Sequence, residues 1–371
     1  MESGISEEGS LFTVPYVNDC TDPGSGRESR EMTARGFRSI IGHTDAIQFF
    51  QTAISNGRIG HAYLITGEAG SGKRMMADAF AETLLCSQPV TDDAMRPDAC
   101  LICKSCLKAA DGNHPDIITV RHEKPGVISV SEIREQLVGT VDILPYESRY
   151  KVYIIPDADK MNPQAQNALL KTIEEPPEYA VILLLSASPE ALLPTIHSRC
   201  VTVNLKPVPD RELAAYLGDT LHIPDYEARV LTSFAQGNVG RAVRAYGDET
   251  FISRRDKTID LVKRVHGMDT ATIMEVIKYI KEDRDYMGDF FDFLMMWFRD
   301  VLYFKATADV DQLIFTREIS AIRAQASSSS YGGLQEILNA IDRCAVRLRS
   351  NVNFELALEL LLSSIKENCN A

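Results

Sequence analysis

The chain has 371 residues, 45% of them hydrophobic and 25% charged, with a formal net charge of −13. That balance is the one of a soluble globular protein with two or three domains. The acidic sign excludes a surface that tracks nucleic acid over its whole extent, because phosphate contact needs clustered Lys and Arg. The longest unbroken apolar run, around Val181 to Leu185, falls far short of the about 18 residues that span a bilayer. No secretory signal pattern opens the chain, so a cytoplasmic protein without membrane contact is expected.

Residues 1–36 hold seven acids against three arginines and little apolar surface, and are expected to form a flexible acidic leader. From Phe37 the pattern becomes globular. A helix is expected over Asp45–Asn56, a strand over Ala62–Thr66 and a helix over Lys73–Leu85, followed by strands at Ile117–Val120, Val152–Ile155 and Val181–Leu185. Strands alternating with helices predict a mainly parallel sheet covered on both faces. After Pro207 strands are no longer expected, and helices follow over Asp210–Leu221, Tyr226–Ala235, Val239–Tyr246 and from Phe251 onward. Phe290, Leu294, Trp297, Val301 and Phe304 recur at helical spacing, with Phe291, Phe298 and Leu302 on an adjacent face, as in a buried core helix.

Between the first strand and its helix, Gly67-Glu68-Ala69-Gly70-Ser71-Gly72-Lys73 satisfies the phosphate-loop pattern G-x-x-x-x-G-K. Its glycines (Gly67, Gly70, Gly72) let backbone N–H groups face phosphates, and Lys73 reaches the outer ones, so the loop has the parts to hold ATP or ADP. The metal chemistry is damaged. Position 74 should be Ser or Thr to ligate Mg²⁺ but is Arg74, and the strand that should end in an acidic pair ends in Pro156-Asp157. Asp159 is an alternative metal-holding acid after a shift of register. Ser186 ends the next strand with a polar side chain.

Cys100, Cys103 and Cys106 place three thiols within seven residues, and Cys86 lies 14 positions before Cys100 at the end of the phosphate-loop helix. Four such ligands make a closed structural Zn²⁺ site. Residues 87–99 are expected to be a solvent loop, and Cys20, Cys200, Cys344 and Cys369 ordinary thiols.

The block KVYIIPDADKMNPQAQNALLKTIEEPPEYAVILLLSASPEALLPTIHSRC, residues 151–200, resembles the nucleotide-binding core of bacterial DNA polymerase III clamp loaders. The resemblance is strong over 37–206 and weak over 207–371. It implies an α/β P-loop (RecA-like, AAA+) domain over 37–206 with a four-cysteine zinc insert at 86–106, a small helical lid over 207–248 and an all-α collar over 249–371. The stretch Asn351-Val352-Asn353-Phe354-Glu355-Leu356-Ala357-Leu358 resembles part of that collar. Cys86, Cys100, Cys103 and Cys106 match the family's zinc insert, and Ser198-Arg199-Cys200 its arginine finger, which acts on a neighbour's ATP. The segment Gly237-Asn238-Val239-Gly240-Arg241 resembles its second sensor, with Gly240 where the arginine belongs and Arg241 about 100° around the helix.

The resemblance implies DNA replication, within the polymerase III holoenzyme. The chain would be one place in a hetero-pentamer with gamma/tau and delta subunits that loads a sliding clamp on primed DNA. Loss of the metal residues sides with non-hydrolysing members, whose own ATPase is absent or weak. The alternatives are an active gamma/tau-like ATPase and, more distantly, a zinc-dependent DNA-binding protein.

Overall fold

The computed structural model describes residues 36–92, 94–124, 126–350 and 352–369. The leader expected over 1–36 therefore falls outside the described residues except for Gly36, as do Cys20 and Asn351. The chain divides into two compact units. One runs to Tyr216 and takes in Gly237–Arg241; the other comprises Leu217–Gln236 and the chain from Ala242 onward.

The first unit is built on five parallel strands: β1 (Ala62–Thr66), β2 (Ile117–Thr119), β3 (Lys151–Ile155), β4 (Ala180–Ser186) and β5 (Val201–Asn204), in the order β2-β3-β4-β1-β5. The sequence pattern does not announce β5. Its tetrapeptide Val201-Thr202-Val203-Asn204 is exposed at three of its four positions and lacks the continuous apolar run of the inner strands. β1, β3 and β4 are buried at every position, as parallel strands covered on both faces must be.

Alternate side chains feed two cores. On one face Leu64, Tyr153, Ile155, Ile182 and Leu184 pack with Ala165, Leu169 and Ile173 of the helix Pro163–Glu174. On the other, Tyr63, Ile65, Ile154 and Leu183 meet Phe50 of the helix α1 (Thr44–Ser55) and Met76, Ala77 and Phe80 of α2 (Lys73–Leu85). The rings of Phe50, Tyr63 and Phe80 interlock at centroid distances of 5.3, 5.5 and 4.5 Å.

The stretch 87–99 is exposed over most of its described length, as expected of a solvent loop, but departs from one at its end. It forms a two-stranded hairpin, Val90–Thr91 against Pro97–Asp98, and Pro97, Asp98 and Ala99 are buried. The buried Asp98 carboxylate accepts from the Phe37 N–H (2.8 Å), the Ala99 N–H (2.8 Å) and Arg38 Nε (3.1 Å), which fixes the start of the described chain.

In the second unit, the long helix Arg284–Thr307 supplies the core, with Phe290, Phe293, Leu294, Trp297, Phe298 and Val301 all buried. Phe293 joins Phe234 and Phe251 in a cluster with centroids 4.8–5.5 Å apart. Asp300 sits inside this apolar helix and accepts two 2.8 Å hydrogen bonds from the Ile314 and Phe315 N–H groups. Among the described residues no helix is long and apolar enough to cross a membrane.

One loop of the first unit depends on buried charge. Asp116, fully buried, accepts from the N–H groups of Tyr146 (2.6 Å), Glu147 (2.9 Å) and Ser148 (2.9 Å). Buried Lys151 donates to the carbonyls of Thr140 (2.8 Å) and Ile143 (3.1 Å). Asp116→Ala removes three charge-assisted bonds and leaves the lysine without its counter-charge, a cost of about 3 kcal/mol. An earlier urea transition by far-UV circular dichroism is the expected result; an unchanged midpoint would show that the loop holds without the carboxylate.

Candidate functional site

The phosphate loop leaves β1 between its two neighbouring strands. Thr66 pairs in register with Ser186 and Asn204, the Gly67 N–H donates to the Ser186 carbonyl (3.3 Å), and the Leu205 N–H to the Thr66 carbonyl (2.8 Å). Gly70 and Gly72 take φ of +85° and +90°, where a side chain would be strained, and Gly72 caps α2. Lys73 Nζ donates to the carbonyls of Gly67 and Glu68, both at 2.7 Å. Burial pulls the Lys73 pKa down, against the opposing pull of Asp157, Asp159 and Glu68. The loop and its lysine are thus brought together.

The residues at the metal side of the motif have other partners. Arg74 Nε bonds both carboxylate oxygens of Asp78 at 2.8 Å and its Nη2 reaches Thr119 Oγ1 (3.1 Å), which ties α2 to β2. Asp157 takes a left-handed φ of +49° and pairs with Lys160 Nζ at 2.9 Å. Asp159 accepts from the Ala187 N–H (3.0 Å), at the end of β4. Both acids therefore have protein partners. The hydroxyls of Ser71 and Ser186 are buried with no hydrogen-bond partner among the described residues.

Two neighbours of the loop lie outside the sequence motif. His43 Nε2 donates to the Ser71 carbonyl at 3.0 Å, and burial keeps the imidazole pKa below its usual value. Asn238 Nδ2 donates to the Ala69 carbonyl (2.8 Å), while its Oδ1 accepts from the Arg241 N–H (3.0 Å). The Gly-Asn pair just before a helical run is the available signal for Asn238, since Asn commonly caps a helix start. His43 has none beyond Gly42 before it.

Cys86, Cys100, Cys103 and Cys106 converge, with all four Sγ atoms within 4.8 Å of one another. The pairs Cys86–Cys103 and Cys100–Cys106 stand 3.9 and 4.0 Å apart. A tetrahedron with metal–sulfur bonds of about 2.3 Å has edges of about 3.8 Å, so the set could hold a metal ion. Backbone N–H groups of Cys100, Cys103 and Cys106 donate to the sulfurs of Cys86 (3.4 Å), Cys100 (3.3 Å) and Cys103 (3.5 Å), which orients the sulfurs toward one another. Cys86 caps the C-terminus of α2 and Cys103 the N-terminus of α3 (Lys104–Ala110). Cys200, Cys344 and Cys369 lie elsewhere, and burial raises their pKa values to about 12, 11 and 11, as for inert thiols.

Arg199 stands apart from both sites, on the turn after the short helix Pro194–His197. Its Nε pairs with Glu174 Oε1 at 2.8 Å and its Nη1 donates to the Thr195 carbonyl (3.1 Å). Both side chains are more than a third exposed.

A family model described as DNA polymerase III, delta subunit, matches residues 42–209, and a second, for the C-terminal part of the delta subunit, matches 250–367. The chain is 29% identical to DNA polymerase III subunit delta' of Bacillus subtilis, over 86% of this chain and 95% of that one. It is 44% identical to subunit delta' of Pseudomonas aeruginosa over 38% and 42% of the two chains. Subunit tau/gamma of Haemophilus influenzae is 30% identical over 65% of this chain, which spans only 34% of that protein. The tau/gamma relative thus extends well beyond the shared region, whereas the Bacillus delta' chain is matched over nearly its full length, and the chain belongs to the DNA polymerase III delta-subunit family of clamp-loader proteins, alongside the delta-prime subunits.

Proposed function

We propose that this chain is the largely non-hydrolysing, delta-prime-type subunit of a clamp loader. It would sit beside gamma/tau and delta subunits in a hetero-pentamer and present Arg199 to the ATP of a neighbour while the sliding clamp is loaded on primed DNA. The observation that carries this reading is an asymmetry. Arg74, Asp157 and Asp159, at the metal side of the chain's own phosphate loop, are engaged with protein groups, whereas Arg199 is exposed and held by an exposed ion pair.

Such a pair is worth about 0–1 kcal/mol, so exchanging Glu174 for a phosphate oxygen costs little. Guanidinium is always charged and planar, and it stabilises the charge that spreads over the transferred phosphoryl group. Pro194 and the buried Ile196 fix the turn from which the side chain projects.

The four cysteines support a structural Zn²⁺ with no open position for chemistry. Bound zinc would act as a cross-link: Cys86 and Cys103 tie the end of α2 to the start of α3, and Ser105 Oγ already donates to the Leu85 carbonyl beside them (2.8 Å).

Arg199→Ala, reconstituted with its partner subunits, is expected to lower clamp-dependent ATP turnover by roughly two to three orders of magnitude. Lys73→Ala in the same chain should leave turnover unchanged. Full turnover with Arg199→Ala would remove the donor assignment, and a large loss with Lys73→Ala would favour an active ATPase. Metal analysis of the purified chain is expected to give about one zinc per chain, falling well below half with Cys103→Ser. Metal-free wild-type protein would exclude the site.

A further inference from the structure

The phosphate loop is closed by the chain's own residues 238–240. The Gly240 N–H donates to the Gly70 carbonyl (3.1 Å), and Asn238 Nδ2 to the Ala69 carbonyl beside it (2.8 Å). The fit depends on glycine, because a Cβ at position 240 would stand 2.5 Å from the Gly70 oxygen and 3.0 Å from its Cα. Any larger residue pushes the segment off the loop.

The contact also sets the direction of the peptide between Gly70 and Ser71. In a trans peptide the carbonyl and the following N–H point opposite ways. With the Gly70 carbonyl turned to Gly240, the Ser71 N–H points inward and donates to the Glu68 carbonyl (3.1 Å). A phosphate loop needs its N–H groups outward. Beside it, His43 occupies the Ser71 carbonyl and Lys73 those of Gly67 and Glu68. Meanwhile the hydroxyls of Ser71 and Ser186 are buried without partners, two donors of the kind that a phosphate oxygen would satisfy.

We propose that Asn238 and Gly240 form a latch that occupies the phosphate loop as an internal ligand, and that a nucleoside di- or triphosphate binds only when the latch opens and the Gly70–Ser71 peptide turns. Opening would release the Ser71 N–H and give both buried hydroxyls an acceptor. The latch extends the reading of a non-hydrolysing subunit and can fail independently of it, since Arg199 takes no part.

The test is equilibrium titration of the full chain with a fluorescent ADP, with and without Mg²⁺, comparing wild type, Asn238→Ala and Gly240→Ala. Asn238→Ala deletes one latch bond without adding bulk, so affinity should tighten by roughly three- to tenfold, the worth of one hydrogen bond. Gly240→Ala, which adds a clash, should tighten it at least as much. Hydrogen exchange gives an independent reading: the Gly240 amide should be protected in wild type and lose protection in Asn238→Ala. Equal or weaker affinity in a folded Asn238→Ala, no binding by any of the three proteins, or an unprotected Gly240 amide in wild type would each overturn the latch.

Discussion

The placement of β1 between two parallel neighbours governs the first unit. Its last residue, Thr66, is paired on one side with Ser186 and on the other with Asn204, so the chain can leave only at the sheet's edge, into the space where α2 begins. In open α/β sheets this is where ligands bind, outside the carboxyl ends of the strands. The backbone bonds that hold the loop there involve no catalytic side chain. Gly67 is held by the Ser186 carbonyl and Leu205 by that of Thr66, while α2 is held by Met76, Ala77 and Phe80 in the core. The fold of the loop thus rests on backbone bonds and core packing.

Much of this is legible in the sequence because it rests on local pattern. β1 and α2 fall at the bounds that the pattern predicts, since an apolar pentapeptide, three glycines and a helical run follow in unbroken order. Spacing alone singles out the four cysteines, and the structure brings their sulfurs together. What stays hidden depends on distant partners. The stretch 87–99 reads as polar and turn-rich, yet Asp98 is buried because it serves N–H groups about 60 positions earlier. β5 is invisible for a similar reason: an edge strand with one buried residue has no periodicity to display, and only the free side of β1 makes it a strand. Glu174 lies in the run LLKTIEEPP, where nothing local points to Arg199, and Asn238 and Gly240 meet Ala69 and Gly70 some 170 positions away.

The cysteine cluster and the phosphate loop share one rigid element. Lys73 begins α2 and Cys86 caps its other end, about 20 Å away at 1.5 Å per residue. The insert between them and β2 is too small for a core of its own. The hairpin and Ser105 donating to the Leu85 carbonyl hold it, and the four thiols converge within it. Small segments of this kind need a staple in place of apolar burial. Arg74 adds a tie from the first turn of α2 to Thr119 of β2.

The role proposed for Arg199 asks for a fixed base and an exchangeable partner, and these are opposing demands on a single side chain. The base is met by burial: Leu192 and Ile196 anchor the turn in the core that contains Leu169 and Ile173 of the helix bearing Glu174. The partner is met by exposure, since the Glu174 pair lies where water screens it and yields little when broken. Had Arg199 been paired in the interior, breaking that pair would have left an uncompensated buried charge, at about 3–5 kcal/mol. Glu174 thus pairs with the guanidinium at the surface, where a weak hold suits exchange for a stronger anion.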